Sequence, residues 1–179
     1  MLSVVIPSYK DPLLPKTIDS LLTSAEGEIE IVAVLDGYWS ATPLPSDERV
    51  RIVHLGKNRG MRRAINAGVA VARGEFLMRA DEHQMFGRGY DVILTRDCQP
   101  NWIVTPRRYF LDSVKWEVMD IPPVDFMKLK IVNVSNGVRK FSGVERPGND
   151  AQPIQESMAM QGSCWVMNRS WWDKVIGEL

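Results

Sequence analysis

Apolar residues gather along the chain in short runs separated by helical stripes. Leu2 to Ile6 is an apolar run stopped by Pro7, and so short a run predicts a central strand buried on both faces. Asp11 and Pro12 then read as a helix N-cap and first helical residue. Leu14, Ile18, Leu21 and Leu22 follow at helical spacing, which predicts a helix over roughly 12–24 ended by Glu26-Gly27. Ile29 to Leu35 is a second apolar strand, and Asp36-Gly37 turns the chain at its carboxyl end. Strand, helix, strand is a right-handed crossover unit, and such units gather ligands at their carboxyl edge.

Residues 38–50 read as loop from their prolines and polar side chains. Arg51 to Leu55 predicts a short strand, and Gly56 to Gly60 a basic loop bounded by glycines. The stretch from Gly60 to His83 organises the rest. Ile65, Val69 and Ala72 form a helical stripe with Met61 and Gly68 beside it; Gly74 stops the helix. Phe76, Leu77 and Met78 then predict a buried strand, followed by Asp81, Glu82 and His83. Three oxygen or nitrogen ligands at the carboxyl end of a strand stand where open α/β sheets bind ligands.

Beyond His83 the sequence GRGYDVILTRDC predicts a helix with Tyr90, Ile93 and Leu94 facing inward, and Trp102 to Thr105 a strand ended by Pro106. Alternation over Val114–Val118 and Lys130–Val134 predicts antiparallel hairpins. Pro122-Pro123, Pro147-Gly148 and Pro153 mark loops, and Met158 to Met167 resumes apolar character. The expected fold class is α/β: a Rossmann-like, mostly parallel sheet flanked by helices, with a small antiparallel addition late in the chain.

Composition narrows the function little. A length of 179 residues suits one domain, and zero formal net charge favours no nucleic-acid partner through bulk electrostatics. Neither Cys98 nor Cys164 sits at metal-ligand spacing, and reduced thiols are the plainer reading. No signal peptide is evident and no run approaches the roughly 20 apolar residues of a membrane helix, so a cytoplasmic location without a transmembrane segment is expected.

Several of these stretches resemble the GT-A fold nucleotide-sugar glycosyltransferases of family 2. IPSYKD is similar to their Ile-Pro-x-Tyr-Asn-x opening, and VLDGYWS to their Val-Asp-Asp-Gly-Ser turn, with Leu35 in place of the first Asp. Gly74-Glu75 precede Asp81 at the family's spacing, and Asp81-Glu82-His83 stands at its metal motif. The His ending resembles the version found in polypeptide N-acetylgalactosaminyltransferases. QGSCWVMNRSWWDKVIG resembles a late strand-to-helix segment that closes the pocket. The likeness covers the first hundred residues and about 156–177.

That resemblance implies transfer of a hexosyl or N-acetylhexosaminyl group from a nucleotide-sugar donor, a UDP-sugar favoured, to an acceptor glycan, lipid-linked sugar or protein. It implies one domain, with about 1–105 as the donor-binding half and about 106–179 as the acceptor side. Donor-binding residues would be Pro7, Ser8, Tyr9, Asp36, Gly60, Arg63, Asp81 and Glu82, with Gly68 also near the nucleotide. Asp81 and His83 would hold Mn2+ or Mg2+, since carboxylates suit either ion and an imidazole shifts preference toward Mn2+. Against each role stands a plainer one: a solvated turn for Asp81-Glu82-His83, an Asp-Gly turn for Asp36, an exposed helix charge for Arg63. His54 reads as structural, and Arg107 and Arg108 as either a phosphate contact or charged loop ends. Trp116, Trp165, Trp171 and Trp172 read mostly as core, with Trp116 or Trp165 the alternatives for a sugar platform.

In the family a base-bearing segment follows the late helix. Here Gly177 caps that helix two residues before Leu179, so the expectation is a piece of a longer protein, with no catalytic base named. If the base lay within these residues, Asp120, Asp125, Asp150 and Glu156 would be its places. Two rivals stay open: a nucleotidyltransferase of similar fold, and a non-catalytic nucleotide-sugar-binding domain.

Overall fold

The computed structural model describes residues 1–133, 139–147 and 162–179. In chain order the elements are β1 (Leu2–Ser8), α1 (Leu14–Ser24), β2 (Ile29–Asp36), β3 (Val50–Leu55), α2 (Met61–Val71), β4 (Phe76–Ala80) and α3 (Tyr90–Arg96). Then follow β5 (Ile103–Val104), β6 (Leu111–Asp112), β7 (Glu117–Val118), β8 (Val124–Asn133), β9 (Arg139–Pro147), β10 (Cys164–Asn168) and α4 (Arg169–Trp171), which widens into a π turn over Trp172–Ile176. Contacts divide the chain into two units: Met1–Val104 with Ser163–Leu179, and Thr105–Gly162.

The first unit is built on a six-stranded sheet of order β3-β2-β1-β4-β10-β5. β1 runs parallel to β2 and β4, and β2 parallel to β3, whereas β10 is antiparallel to both β4 and β5. This is the expected α/β, Rossmann-like sheet with its antiparallel addition. Both faces are covered. Leu2, Val4 and Ile6 join Leu14, Ile18 and Leu21 of α1 in one core; Val5, Val32 and Val34 join Ala64, Ile65 and Val69 of α2 in the other. Adjacent residues of one strand supply opposite cores, as the period of two requires. That is why these strands read as unbroken apolar runs.

The first helix departs from its predicted start. Helix α1 begins at Leu14 with Pro15 in its first turn, and Asp11 accepts the Leu13 N–H at 2.8 Å, closing a turn ahead of it. Nor does Pro7 end β1, because the Leu2 N–H bonds toward β2, to Glu28 O at 3.0 Å. By alternation the missing N–H of Pro7 faces the β4 side, where pairing has already stopped at Val5–Arg79.

Helix α2 ends at Val71, before Gly74, and Arg169 donates to Ala72 O at its C-cap at 2.7 Å and to Gly74 O just beyond at 2.9 Å. Gly68 does not line a pocket. It is buried, and a Cβ there would lie 2.4 Å from Val5 Cγ1 and 2.9 Å from Val34 Cγ2, so the glycine sets helix-to-sheet contact. In α3, Tyr90 is buried but Ile93 is 56% exposed, against expectation. Asp91 is the buried anchor instead, accepting the Glu26 and Gly27 N–H groups at 3.1 and 2.6 Å. Trp165 and Trp172 stack in the core with centroids 5.9 Å apart, which removes Trp165 as a sugar platform. Cys98 and Cys164 are buried free thiols, and burial pushes Cys164 up to about 12.

The second unit contains two antiparallel pairs, β6–β7 and β8–β9. The predicted strand over Val114–Val118 is mostly the turn between β6 and β7. Asp112 accepts the Val114 and Lys115 N–H groups at 3.0 Å each, and Trp116 takes φ of 60°. Strand β8 covers Lys130 to Asn133 of the other predicted hairpin; Val134, Asp150, Glu156 and Met158 to Gln161 lie outside the described residues.

Candidate functional site

The sheet order makes β1 a switch point: β2 and β3 extend to one side, β4 to the other. Ligands of open α/β sheets enter at the carboxyl end of such a point. Three predicted stretches meet there, each through a different bond.

The first junction joins β1 to β4. Glu82 accepts the Tyr9 N–H through both carboxylate oxygens, at 2.9 and 3.3 Å. Ser8, buried at the last position of β1, hydrogen-bonds the Tyr38 hydroxyl that follows β2. Burial raises the Glu82 pKa above the ordinary carboxylate value, opposed by hydrogen bonds from Ser8 and the Tyr9 amide. The second junction joins β2 to α2. Asp36 is only 3% exposed, and its two oxygens accept the Arg59 and Gly60 N–H groups at 2.7 and 2.8 Å. Gly37 must be glycine there: φ is 79°, and a Cβ would lie 2.2 Å from Asn58 N. Asp36 thus holds the basic loop against the sheet edge, and any nucleotide contact would use its remaining lone pairs. Gly60, at φ 85°, opens α2, and Arg63 is exposed in that helix's first turn.

The third junction is the 81–84 turn. Asp81 N–H is bonded at 3.0 Å to both Ser163 O and Gln84 Oε1. Thr17 of α1 donates to Glu82 O at 3.0 Å and accepts the Gln84 N–H at 3.0 Å, so the backbone around His83 is tied on both sides. Asp81 Oδ1 pairs with Arg79, a guanidinium 4% exposed on β4 that also donates to Met61 Sδ at 3.1 Å. His83 Nδ1 lies 2.8 Å from Asp11 Oδ2.

The structure thus brings Pro7, Ser8, Tyr9, Asp36, Gly60, Asp81, Glu82 and His83 to one edge, and adds Asp11, Tyr38 and Arg79. Arg79 had a sequence signal, a lone cation in an otherwise apolar strand. In sequence Asp11 reads as a helix cap, and its pairing with a residue 72 positions away is invisible there. Trp39, 69% exposed, stacks on His54 with centroids 4.1 Å apart.

A divalent cation is implied by the family motif. Among the described residues no three His, Cys, Asp or Glu side chains cluster as a complete protein cage. The donors present still fit such an ion: Asp81 keeps Oδ2, and His83 keeps Nε2, two positions apart in one pinned turn. Mg2+-type ions are commonly held by one or two carboxylates with substrate phosphates completing the shell.

A family model described as Glycosyl transferase family 2 matches residues 3–175. The chain belongs to glycosyl transferase family 2. Among curated relatives, glycosyltransferase GlyG of Streptococcus pneumoniae serotype 4 (strain ATCC BAA-334 / TIGR4) is 31% identical over 88 residues, covering 45% of this chain and 29% of GlyG. Two solved structures are also similar. The Pyrobaculum calidifontis mannosyltransferase PcManGT in complex with GDP-Man and Mn2+ is 17% identical, covers 51% of this chain and 30% of its own, and has a TM-score of 0.43. Staphylococcus aureus TarS 1-349 in complex with UDP-GlcNAc is 20% identical, covers 49% and 28%, and scores 0.40. The chain spans under a third of each of these proteins. Membership of the glycosyl transferase family rests on the match over residues 3–175, and the parallel sheet order accords with the fold expected of it. Among the described residues, no helix is long and apolar enough to cross a membrane.

Proposed function

We propose that this chain binds the nucleotide diphosphate of a sugar donor at the carboxyl edge of β1, β2 and β4, and takes part in metal-assisted transfer of the sugar. The observation carrying this reading is the Asp81-Glu82-His83 turn, pinned beside the β1 end at the sheet's switch point. Asp81 Oδ2 and His83 Nε2 would hold Mn2+ or Mg2+. A bound divalent cation supplies Lewis-acid neutralisation of the charge that develops on a departing diphosphate. Arg63 contributes a bidentate positive fork for phosphate oxygens. Asp36 fixes the loop that carries Gly60 toward the nucleotide, and Arg79 orients the Asp81 carboxylate.

The test is calorimetry of UDP and GDP against the chain with Mn2+, and again with chelator. Binding that requires the metal is expected. Equal binding in both conditions, or none in either, overturns the reading. Asp81→Ala is expected to abolish metal-supported binding, and because it also removes the carboxylate paired with the buried Arg79 guanidinium it is expected to lower thermal stability by about 3 kcal/mol. Hydrolysis and transfer assays with several UDP- and GDP-sugars then separate a transferase from a domain that binds without turnover.

A further inference from the structure

We infer that Asp11 is a positioning residue: it holds His83 in the tautomer that leaves Nε2 free to ligate a divalent cation. The inference rests on the metal-assisted reading above and assigns a role outside the motif itself.

The argument begins with proton inventory. An ionised carboxylate only accepts hydrogen bonds, so the 2.8 Å contact between Asp11 Oδ2 and His83 Nδ1 places the ring proton on Nδ1. In the neutral ring Nε2 then carries the lone pair, the form a metal needs. Asp11 Oδ1 is separately engaged by the Leu13 N–H at 2.8 Å, which orients the carboxylate and leaves Oδ2 for the imidazole.

Both partners are fixed by one framework. The backbone passes through φ of 64° at Lys10, a left-handed conformation for a non-glycine residue, just before Asp11. Asp11 lies three residues ahead of α1, tied to its N-terminus by the bond from the Leu13 N–H. On that same helix Thr17 bonds the residues either side of His83, at Glu82 O and Gln84 N. Asp11 and the His83 turn are therefore both tied to the N-terminal end of α1, Asp11 through Leu13 and the turn through Thr17. The imidazole itself is 53% exposed, whereas the Asp11 carboxylate is 20% exposed. Packing alone leaves so exposed a ring free to rotate, and the carboxylate is what orients it. Carboxylate–histidine–metal arrangements use the same logic, and loss of the outer partner typically costs about 10- to 100-fold in metal affinity.

Nitrogen-15 NMR of the whole chain without metal reads the tautomers of His54 and His83, its two histidines. His83 is expected as the Nδ1–H form. In Asp11→Asn the amide oxygen can keep the Leu13 turn while its NH2 faces Nδ1, which reverses the tautomer to Nε2–H. Calorimetry of Mn2+ in the presence of UDP or GDP is expected to show affinity falling about 10- to 100-fold in that variant. Asp11→Ala should give a mixture of tautomers and a smaller loss. An Nε2–H tautomer in the unmodified chain overturns the inference without any variant needing to fold. Mn2+ binding unchanged by Asp11→Asn overturns it while leaving the metal reading intact. No Mn2+ binding by the unmodified chain defeats the metal reading, and this role with it.

Discussion

The two ends of the parallel strands use a glutamate in opposite ways. At the amino edge Glu30, 3% exposed, accepts from Ser3 Oγ at 2.7 Å, from the Arg73 N–H, and from Arg73 Nε at 3.1 Å, with an Arg51 guanidinium nitrogen 3.6 Å away. Burial alone would raise its pKa, but the bonds from Ser3 and Arg73 outweigh it and hold the carboxyl below its ordinary value. At the carboxyl edge Glu82 is held by the Tyr9 amide, and among the described residues no Lys or Arg pairs with it. There burial wins and the pKa rises. The same residue type thus shifts in opposite directions, according to whether fixed cations accompany its burial.

The largest expected break in this contrast comes from Gly74→Ala. A Cβ there would meet Ser3 Oγ at 2.5 Å, Ser3 N at 2.7 Å and Met1 O at 2.9 Å, and two of these atoms are backbone. Gly74 N–H also donates to Ser3 Oγ at 2.7 Å, so the Glu30 network is disturbed too. Chemical denaturation should show a loss of about 3 kcal/mol; a change under about 0.5 kcal/mol would mean the amino edge is not rigid.

Glu30→Gln should cost less, about 1–3 kcal/mol at neutral pH. Its sign with pH follows from the lowered pKa. The contribution is present above the ordinary glutamate value of 4.5 and is lost as pH falls through the folded-state value. Thermal melts of the parent chain should therefore lose stability across that acidic window, and the variant's curve should be flatter there.

Glu82→Gln is the smallest effect and runs the other way. With its folded pKa raised above the ordinary 4.5, Glu82 contributes stability fully present below that value and lost as pH rises through the folded one. A neutral amide can still accept the Tyr9 N–H. Stability at pH 7 should stay level or rise by under about 1 kcal/mol. A loss as large as that of Glu30→Gln would erase the distinction between the two edges.

The amino-acid order by itself determined the strands and helices of the first unit, because each strand buried on both faces must be apolar nearly throughout. Leu2–Ile6, Ile29–Leu35 and the stripe through Ile65 and Val69 were legible for that reason. It also placed Asp81-Glu82-His83 at a strand end, since turn residues after an apolar run carry their own chemistry. Local signals failed where a distant partner decided the outcome. Ile93 continues a helical stripe yet faces solvent, because buried Asp91 anchors α3 through the Glu26 and Gly27 amides. Val114 to Trp116 alternates like a strand, but Asp112 captures its amides into a turn. Only the tertiary structure joined Glu82 to Tyr9, Asp81 to Arg79 and His83 to Asp11. The Asp81–Arg79 pair is local, two positions apart, but the other two bonds span 73 and 72 positions and depend on β1 pairing beside β4, which no single stretch of sequence encodes.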